Sequence, residues 1–289
     1  MYQAKLVVPG GTRTRARIEY HFDVERELAK KLKHASREAR RSLYTSVYDE
    51  LFARVADHPQ FLNIFRPEAR YRRISRQVRY LESLMGSKGN FAEIGPGDCA
   101  LSIEMCARSK SVAAVDVSNE ITRHATLPQN FSLVISDGAS VPLARNSIDL
   151  VYSDQLMEHL HPEDAAEQLA GIYAALRSGG KYFMITPNAA LGPHDVTKYF
   201  DHDSAQGLHL KEYSFGEIDT LLRQAGFTHC YALIGAAGRY IRLPISWMRL
   251  PEKLIASLPR TIRRSLIRNR FARPLLNILL GARVLALKS

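Results

Sequence analysis

The sequence has little cysteine, a single tryptophan and no long apolar run. Its three cysteines, Cys99, Cys106 and Cys230, are an odd number without C-x-x-C spacing. That excludes a disulfide framework and a zinc ribbon, and it suits a reducing compartment. No apolar run approaches the ~20 residues that cross a bilayer. The opening MYQAKLVVPGGTRTRAR lacks the apolar stretch of a secretory signal. These absences predict a cytoplasmic protein, which could still rest on the inner face of a membrane. No His, Cys or Asp cluster has metal-ligand spacing along the chain, so no divalent ion is expected.

What is present is ordinary globular usage, with 46% hydrophobic and 24% charged residues in a chain of 289. Wholesale disorder is excluded, and the length allows a sizeable core. Acid is scarce only locally. Residues 1–85 hold 18 Lys and Arg against 10 Asp and Glu, residues 86–235 hold 10 against 18, and residues 236–289 hold 12 against 1. An acidic middle is thus flanked by two basic ends. In the first segment acids and bases interleave (VERELAKKLKHASREARR), as on an exposed helix. In the last, Glu252 is the only acid, and an excess of base attracts phosphate, anionic lipid or anionic polymer.

Residues 20–85 read as helices, with Leu28, Leu32, Tyr44, Val47, Tyr48, Leu51 and Phe52 at helical spacing. From 91 onward short apolar runs alternate with helix-like segments, the pattern of a parallel sheet covered by helices. Strands are predicted at 91–95, 111–117, 131–137, 148–154, 181–187, 229–235 and 283–288. A helix over 162–178 starts with Pro162 and stops at Gly179-Gly180. Another over 214–225 starts with the capping box Ser214-x-x-Glu217 and ends at Gly226.

The run FAEIGPGDCALSIEM, 91–105, carries the main signal. A strand ends in Gly95-Pro96-Gly97, where bare backbone lets a ligand approach and a helix N-terminus follows. The next strand ends at Asp116, 21 residues after Gly95, where an acid can accept both hydroxyls of a ribose. Two adenosine-containing cofactors compete. Gly95, Gly97 and Ala100 satisfy the dinucleotide fingerprint. Glu93, giving E-x-G-x-G, together with Ser136-Asp137-Gly138 and the run from Asp149 to Leu160, favours S-adenosylmethionine.

Together EIGPG at 93–97, VDVS at 115–118, SDGASVPL at 136–143, IDLVYSDQLMEHL at 148–160 and LRSGGKYFMITPN at 176–188 resemble the class I S-adenosylmethionine-dependent methyltransferases of small-molecule type. The resemblance covers about residues 86–235 and the last strand. It implies an α/β, Rossmann-like fold of seven strands, the last antiparallel. It also implies roles. Gly95 and Gly97 would pass under the methionine part of the cofactor, and Glu93 would order that loop and favour the amino group. Asp116 would hold the ribose hydroxyls, Asp137 would accept from the adenine amine, and the Gly138 N–H would approach the ring. Ser153 and Asp154 would border the site. The family's usual third glycine is Cys99 here, which leaves its contact open.

Such a cofactor brings an activated methyl, so the protein has mainly to align donor and acceptor and exclude water. A hydroxyl acceptor also needs a base. His159, His194 and His209, on loops after the later strands, are the candidates, with His159 first. The (D/N)-P-P-(Y/F) of base-amine methylation is absent after the fourth strand, where Ser153-Asp154-Gln155-Leu156 stands.

Residues 236–282 form an insertion before the last strand, read as basic amphipathic helix with Trp247 at its start. That is the pattern of an interfacial membrane segment, or of a helical cap that closes the substrate pocket. Nucleic acid fits poorly, because Tyr and Phe do not interleave with the bases as a stacking platform needs. The predicted organisation is an N-terminal helical lid (1–85), a Rossmann-like core (86–235), the insertion (236–282) and a last core strand (283–289). The predicted reaction is methyl transfer, at oxygen, to a small or lipid-linked acceptor such as a glycan sugar, a polyprenyl or a quinone-type lipid. The alternatives are an NAD(P)-dependent oxidoreductase and a non-catalytic methyltransferase fold acting as a membrane partner.

Overall fold

The computed structural model describes residues 6–8, 11–59, 67–118, 126–236 and 238–289. A short hairpin, β1 (Leu6–Val8) and β2 (Gly11–Arg13), leads into α1 (Arg15–His34), α2 (Arg37–Arg54) and α3 (Pro67–Met85). Then β3 (Asn90–Ile94), α4 (Ala100–Met105), β4 (Ser111–Asp116), β5 (Phe131–Ile135), β6 (Ile148–Asp154), α5 (Pro162–Ala175) and β7 (Leu176–Thr186) follow in turn. The chain ends with α6 (Phe215–Ala225), β8 (His229–Ala236), β9 (Arg239–Pro244), α7 (Arg249–Ala256), α8 (Arg260–Arg268), α9 (Ala272–Leu280) and β10 (Ala282–Leu287).

The central sheet runs β5-β4-β3-β6-β7-β10-β8-β9. Strands β5 to β7 are parallel, and β10 inserts antiparallel between β7 and β8. The order reverses between β3 and β6, so a crevice opens outside their carboxyl ends, where open α/β sheets bind ligands. Alternate side chains serve opposite faces. Ala92, Ile94, Val115 and Val151 join one buried cluster with α1, α2, α5 and α6. Phe91, Val112, Leu150 and Tyr152 join another with α3 and α4.

The seven expected strands are present, with the last antiparallel, and an eighth was not foreseen. Strand β9 pairs antiparallel with β8 within the segment read as helical. Its Tyr240 packs on Tyr80 with ring centroids 4.7 Å apart, while Leu243 lies against the other face. This period of two is hidden in the sequence by neighbouring arginines. Helix α5 ends at Ala175, short of Gly179, because Leu176 already pairs with Ile148. The capping box of α6 and its left-handed Gly226 are as expected.

The helices of the first 85 residues divide between the two faces of the sheet. Helix α3 packs beneath the sheet, with Ile74, Val78, Leu81 and Leu84 buried. Helices α1 and α2 pack on the opposite face, and α3 also reaches the carboxyl ends of the strands, where Gln77 donates to Asp154 (3.0 Å) and Arg70 pairs with Asp98. Helix α2 is tied down by a buried cluster. Arg40 donates from Nε to Asp164 Oδ2 (2.6 Å) and from Nη2 to Oδ1 (2.9 Å), and the Tyr44 hydroxyl donates to Oδ2 (2.6 Å). Removing one partner of a buried pair strands the other charge, so Asp164→Ala should cost about 3–5 kcal/mol, read as a lower urea midpoint. Burial raises the Asp164 carboxyl, but Arg40 and Tyr44 outweigh it and hold the group below its ordinary 3.8. Its contribution is therefore complete above that value and is lost as pH falls through the depressed one.

Candidate active site

Strand β3 stops at Ile94 because the next residues leave extended geometry. Gly95 (φ 68°), Gly97 (φ 58°) and Cys99 (φ 57°) are all left-handed, and α4 begins at Ala100. The two glycines serve different ends. A Cβ on Gly95 would lie 2.9 Å from Leu156 Cδ1, whereas one on Gly97 would meet nothing within 4 Å among the described residues. Gly95 thus lets Leu156 pack, and Gly97 borders open space. Cys99 holds a conformation that glycine adopts without strain. It is buried, and burial pushes its thiol up to about 12, so it is a packed residue without thiolate character.

Acids converge on this loop. Burial raises the Asp116 carboxyl, while the amides of Ser118, Val117 and Gly97 point at it and pull the other way. The tip of β4 and the glycine turn are therefore in direct contact. Glu93 is buried in mid-strand, accepts from the Ser102 hydroxyl and is pushed up to about 8, by burial first. Asp154, at the end of β6, is also raised by burial, and it accepts from Gln77 Nε2 (3.0 Å) and the Tyr152 hydroxyl (3.1 Å). Asp98 and Asp154 each add negative field at Glu93. A crevice lined by several carboxylates in low dielectric favours a ligand with positive charge.

Of three expected contacts, the one at Asp137 is narrowed to a single oxygen and those at Gly138 and Ser153 need correction. Asp137 Oδ1 already accepts from the amides of Ala139 (3.1 Å) and Ser140 (2.7 Å), which leaves Oδ2, 3.3 Å from Arg41, as its outward oxygen. The Gly138 N–H donates to Ser136 Oγ (3.1 Å) and is not free to meet a ring. What requires glycine there is φ 89° and the Tyr44 ring, 2.8 Å from a would-be Cβ. Ser153 bonds to the Tyr182 hydroxyl (2.8 Å) inside the core and does not border the crevice.

On the other side of the β6 terminus the structure gathers the three candidate histidines. His194 and His209 each donate from Nδ1 to one carboxylate, Glu212, at 3.1 and 2.8 Å. His159 donates from Nδ1 to the Leu208 carbonyl (3.0 Å) and meets the His209 ring edge-on at 4.9 Å. Burial drives His159 down to about 3, so it is neutral. Burial also pulls on His209, but Glu212 and the charges of Glu158 and Asp195 lift it above its ordinary value. Glu158 is fully buried and pushed up to about 7 by burial. One of its oxygens accepts from Thr186 Oγ1 (2.9 Å), and the other has no partner among the described residues.

Glu158 and Glu212 were not among the candidates drawn from the sequence. Both act through partners distant in the chain, and the only local hint was the acid beside His159. Spacing along the chain points to no metal-ligand cluster, but the fold brings together ligand-type side chains that are distant in sequence. Glu158, His159 and His209 bring one ligand atom each within 4.8 Å of one another. Both Nδ1 atoms are engaged and neither Nε2 has a hydrogen bond among the described residues, the arrangement of histidine ligands with a second partner. His21, Glu25 and His58 also cluster, but there Arg13 Nη1 stands 2.9 Å from His21 Nδ1 and His21 Nε2 is 2.6 Å from Glu25, which reads as an internal hydrogen-bond chain.

Residues 92–184 match a family model described as a methyltransferase domain. Over those residues the chain carries a methyltransferase domain, and S-adenosylmethionine is the cofactor of such domains. No curated protein matches the chain. Among solved structures it is similar to a chain from the Haloferax volcanii complex of the Trm112 methyltransferase activator with a methyltransferase candidate, at 14% identity and TM-score 0.49, covering 74% of this chain and 90% of that one. It is also similar to the Haemonchus contortus phosphoethanolamine N-methyltransferase 2 bound to S-adenosylhomocysteine, at 16% identity and TM-score 0.48, covering 73% of this chain and 52% of that one. A third is a methyltransferase from Archaeoglobus fulgidus, at 17% identity and TM-score 0.44, covering 74% and 93%. The residues present suit the cofactor: open space borders Gly97, a carboxylate lies at the β4 tip, and an acidic wall can face a sulfonium.

Proposed function

We propose that this protein methylates an oxygen of a small or lipid-linked acceptor, with Glu158 as the base. S-adenosylmethionine, when bound, supplies an electrophilic methyl on a positively charged sulfur. The chain's own residues hold donor and acceptor in line and take the acceptor's proton. Asp116 and the Gly97 turn would grip the ribose and the adjoining chain. Asp137 Oδ2 and Asp154 would line the two ends of the crevice.

The supporting observation is the unpartnered oxygen of Glu158. A buried carboxyl at about 7 is matched to proton transfer near neutral pH. His209, beside it and held by Glu212, would stabilise the ionised form. His159 would serve as a neutral wall, and His194 would anchor Glu212. Glycan sugars, polyprenyl alcohols and quinone-type phenols are the acceptor classes to screen, with the mass of one added CH₂ as the readout. Glu158, His159 and His209 also support a second reading, in which a divalent ion holds the acceptor oxygen. Dialysis against EDTA distinguishes them. Unchanged turnover fits the proton-transfer reading, and loss restored by magnesium or manganese replaces it.

Cofactor affinity should also depend on pH. A cation favours ionised Glu93, whose proton is still held below about 8 in the free protein. Binding below that value must expel the proton, so affinity should fall by up to about tenfold per pH unit as pH drops from 8. Calorimetry at pH 6 and pH 8.5 measures the difference, and Glu93→Gln should flatten it.

A further inference from the structure

We propose that α7, α8 and α9 form a docking surface for an anionic lipid bilayer. Large apolar side chains stand in water here in two stripes. Trp247, Leu250 and Leu254 follow one another at helical spacing, as do Phe271, Leu275 and Leu279, and Trp247, Leu250, Phe271 and Leu275 are all 65–70% exposed. Helix α8 between them buries none of its residues. Apolar groups concentrated in one short stretch of surface mark an interaction site.

Charge selects the partner. Residues 249–280 hold eight Lys and Arg and one acid. That acid, Glu252, points inward, accepting from Asn188 Nδ2 (2.7 Å) and the Phe215 amide (2.9 Å). Arg260 and Arg264 pair with Asp201, and Arg260 also with Asp203. Arg268, Arg270 and Arg273 are exposed and form no ion pair among the described residues. A second copy would press this positive face against itself. An anionic headgroup layer meets the arginines while the apolar side chains enter the acyl boundary.

The surface adjoins the acceptor side of the crevice. Arg264 donates to the carbonyl of His202 (2.7 Å), in the loop between His194 and His209. A lipid-linked acceptor would thus reach the site from the membrane plane. The docking itself does not depend on the acceptor's identity or on turnover.

Trp247 is the only tryptophan, so its emission reports on this surface alone. The full-length protein is titrated with vesicles of phosphatidylcholine and phosphatidylglycerol, 70:30, and with pure phosphatidylcholine, with co-sedimentation in parallel. The expected result is a blue shift and sedimentation with the anionic vesicles. Both should weaken at least tenfold on neutral vesicles or in high salt. Leu250→Asp with Leu275→Asp, or Arg268→Glu with Arg270→Glu and Arg273→Glu, should each remove binding while S-adenosylhomocysteine still binds. Because the salt and lipid dependence needs no variant, a variant that fails to fold leaves the test intact. No shift with either vesicle, equal binding to neutral lipid, or a shift that follows protein concentration without vesicles would each overturn the proposal. The last outcome would mark a self-association surface.

Discussion

Replacing Glu158 by glutamine is expected to lower methyl transfer by about 10²- to 10⁴-fold, the usual share of a positioned base. The amide keeps an acceptor for Thr186 Oγ1, so the fold around β6 should survive. It cannot take a proton. Binding of S-adenosylhomocysteine should therefore match the wild type, and the loss should lie in turnover. The pH profile gives an independent check. Ionised Glu158 is the active form, so wild-type turnover should rise through about pH 7, the value to which burial pushes this carboxyl. The glutamine variant should lack that limb. His209→Asn should act through Glu158 and move the limb upward, since His209 is the charge that favours the ionised form. A purely structural role for His209 would lower stability without moving the limb.

Asp116→Ala is the second large effect. A hydrogen bond to a charged group is worth about 1.5–3 kcal/mol. Losing two ribose contacts should therefore weaken the cofactor by ~100-fold or more. Asp116→Asn keeps the shape but not the charge, and should fall between. The Gly97, Val117 and Ser118 amides lose an acceptor in the alanine variant. Thermal unfolding must accompany the titration, and a variant that stays folded but no longer binds is the expected result. Normal binding by the folded alanine variant would remove Asp116 from the site.

The parts of this fold that could be read along the chain are those fixed by neighbours in sequence. The strand, glycine turn and helix of 91–105 are local, because bare backbone and a helix start need only adjacent residues. The same holds for the capping box at Ser214 and the acid at the end of β4. The acceptor side was harder. His159, His194 and His209 stand out by type, but Glu212, which joins two of them, looks in sequence like any surface acid. Glu158 gains its character only because the folded packing buries it completely, which no neighbour in sequence announces. Ser153 misled for the converse reason. Its position at the β6 end suggests a site residue, but the pleat turns it toward Tyr182. The alternation of strand β9 is too short and arginine-rich to stand out, and nothing before β3 tells which face of the sheet α3 will cover.

Calorimetric titration of the wild-type protein with S-adenosylhomocysteine, and separately with NADH, bears most directly on the identity of the crevice beside Gly97 and Asp116. Saturable heat with S-adenosylhomocysteine and none with NADH is the predicted outcome. Heat with NADH alone would make the chain an oxidoreductase of similar topology, and no heat with either ligand would leave the fold a non-catalytic partner.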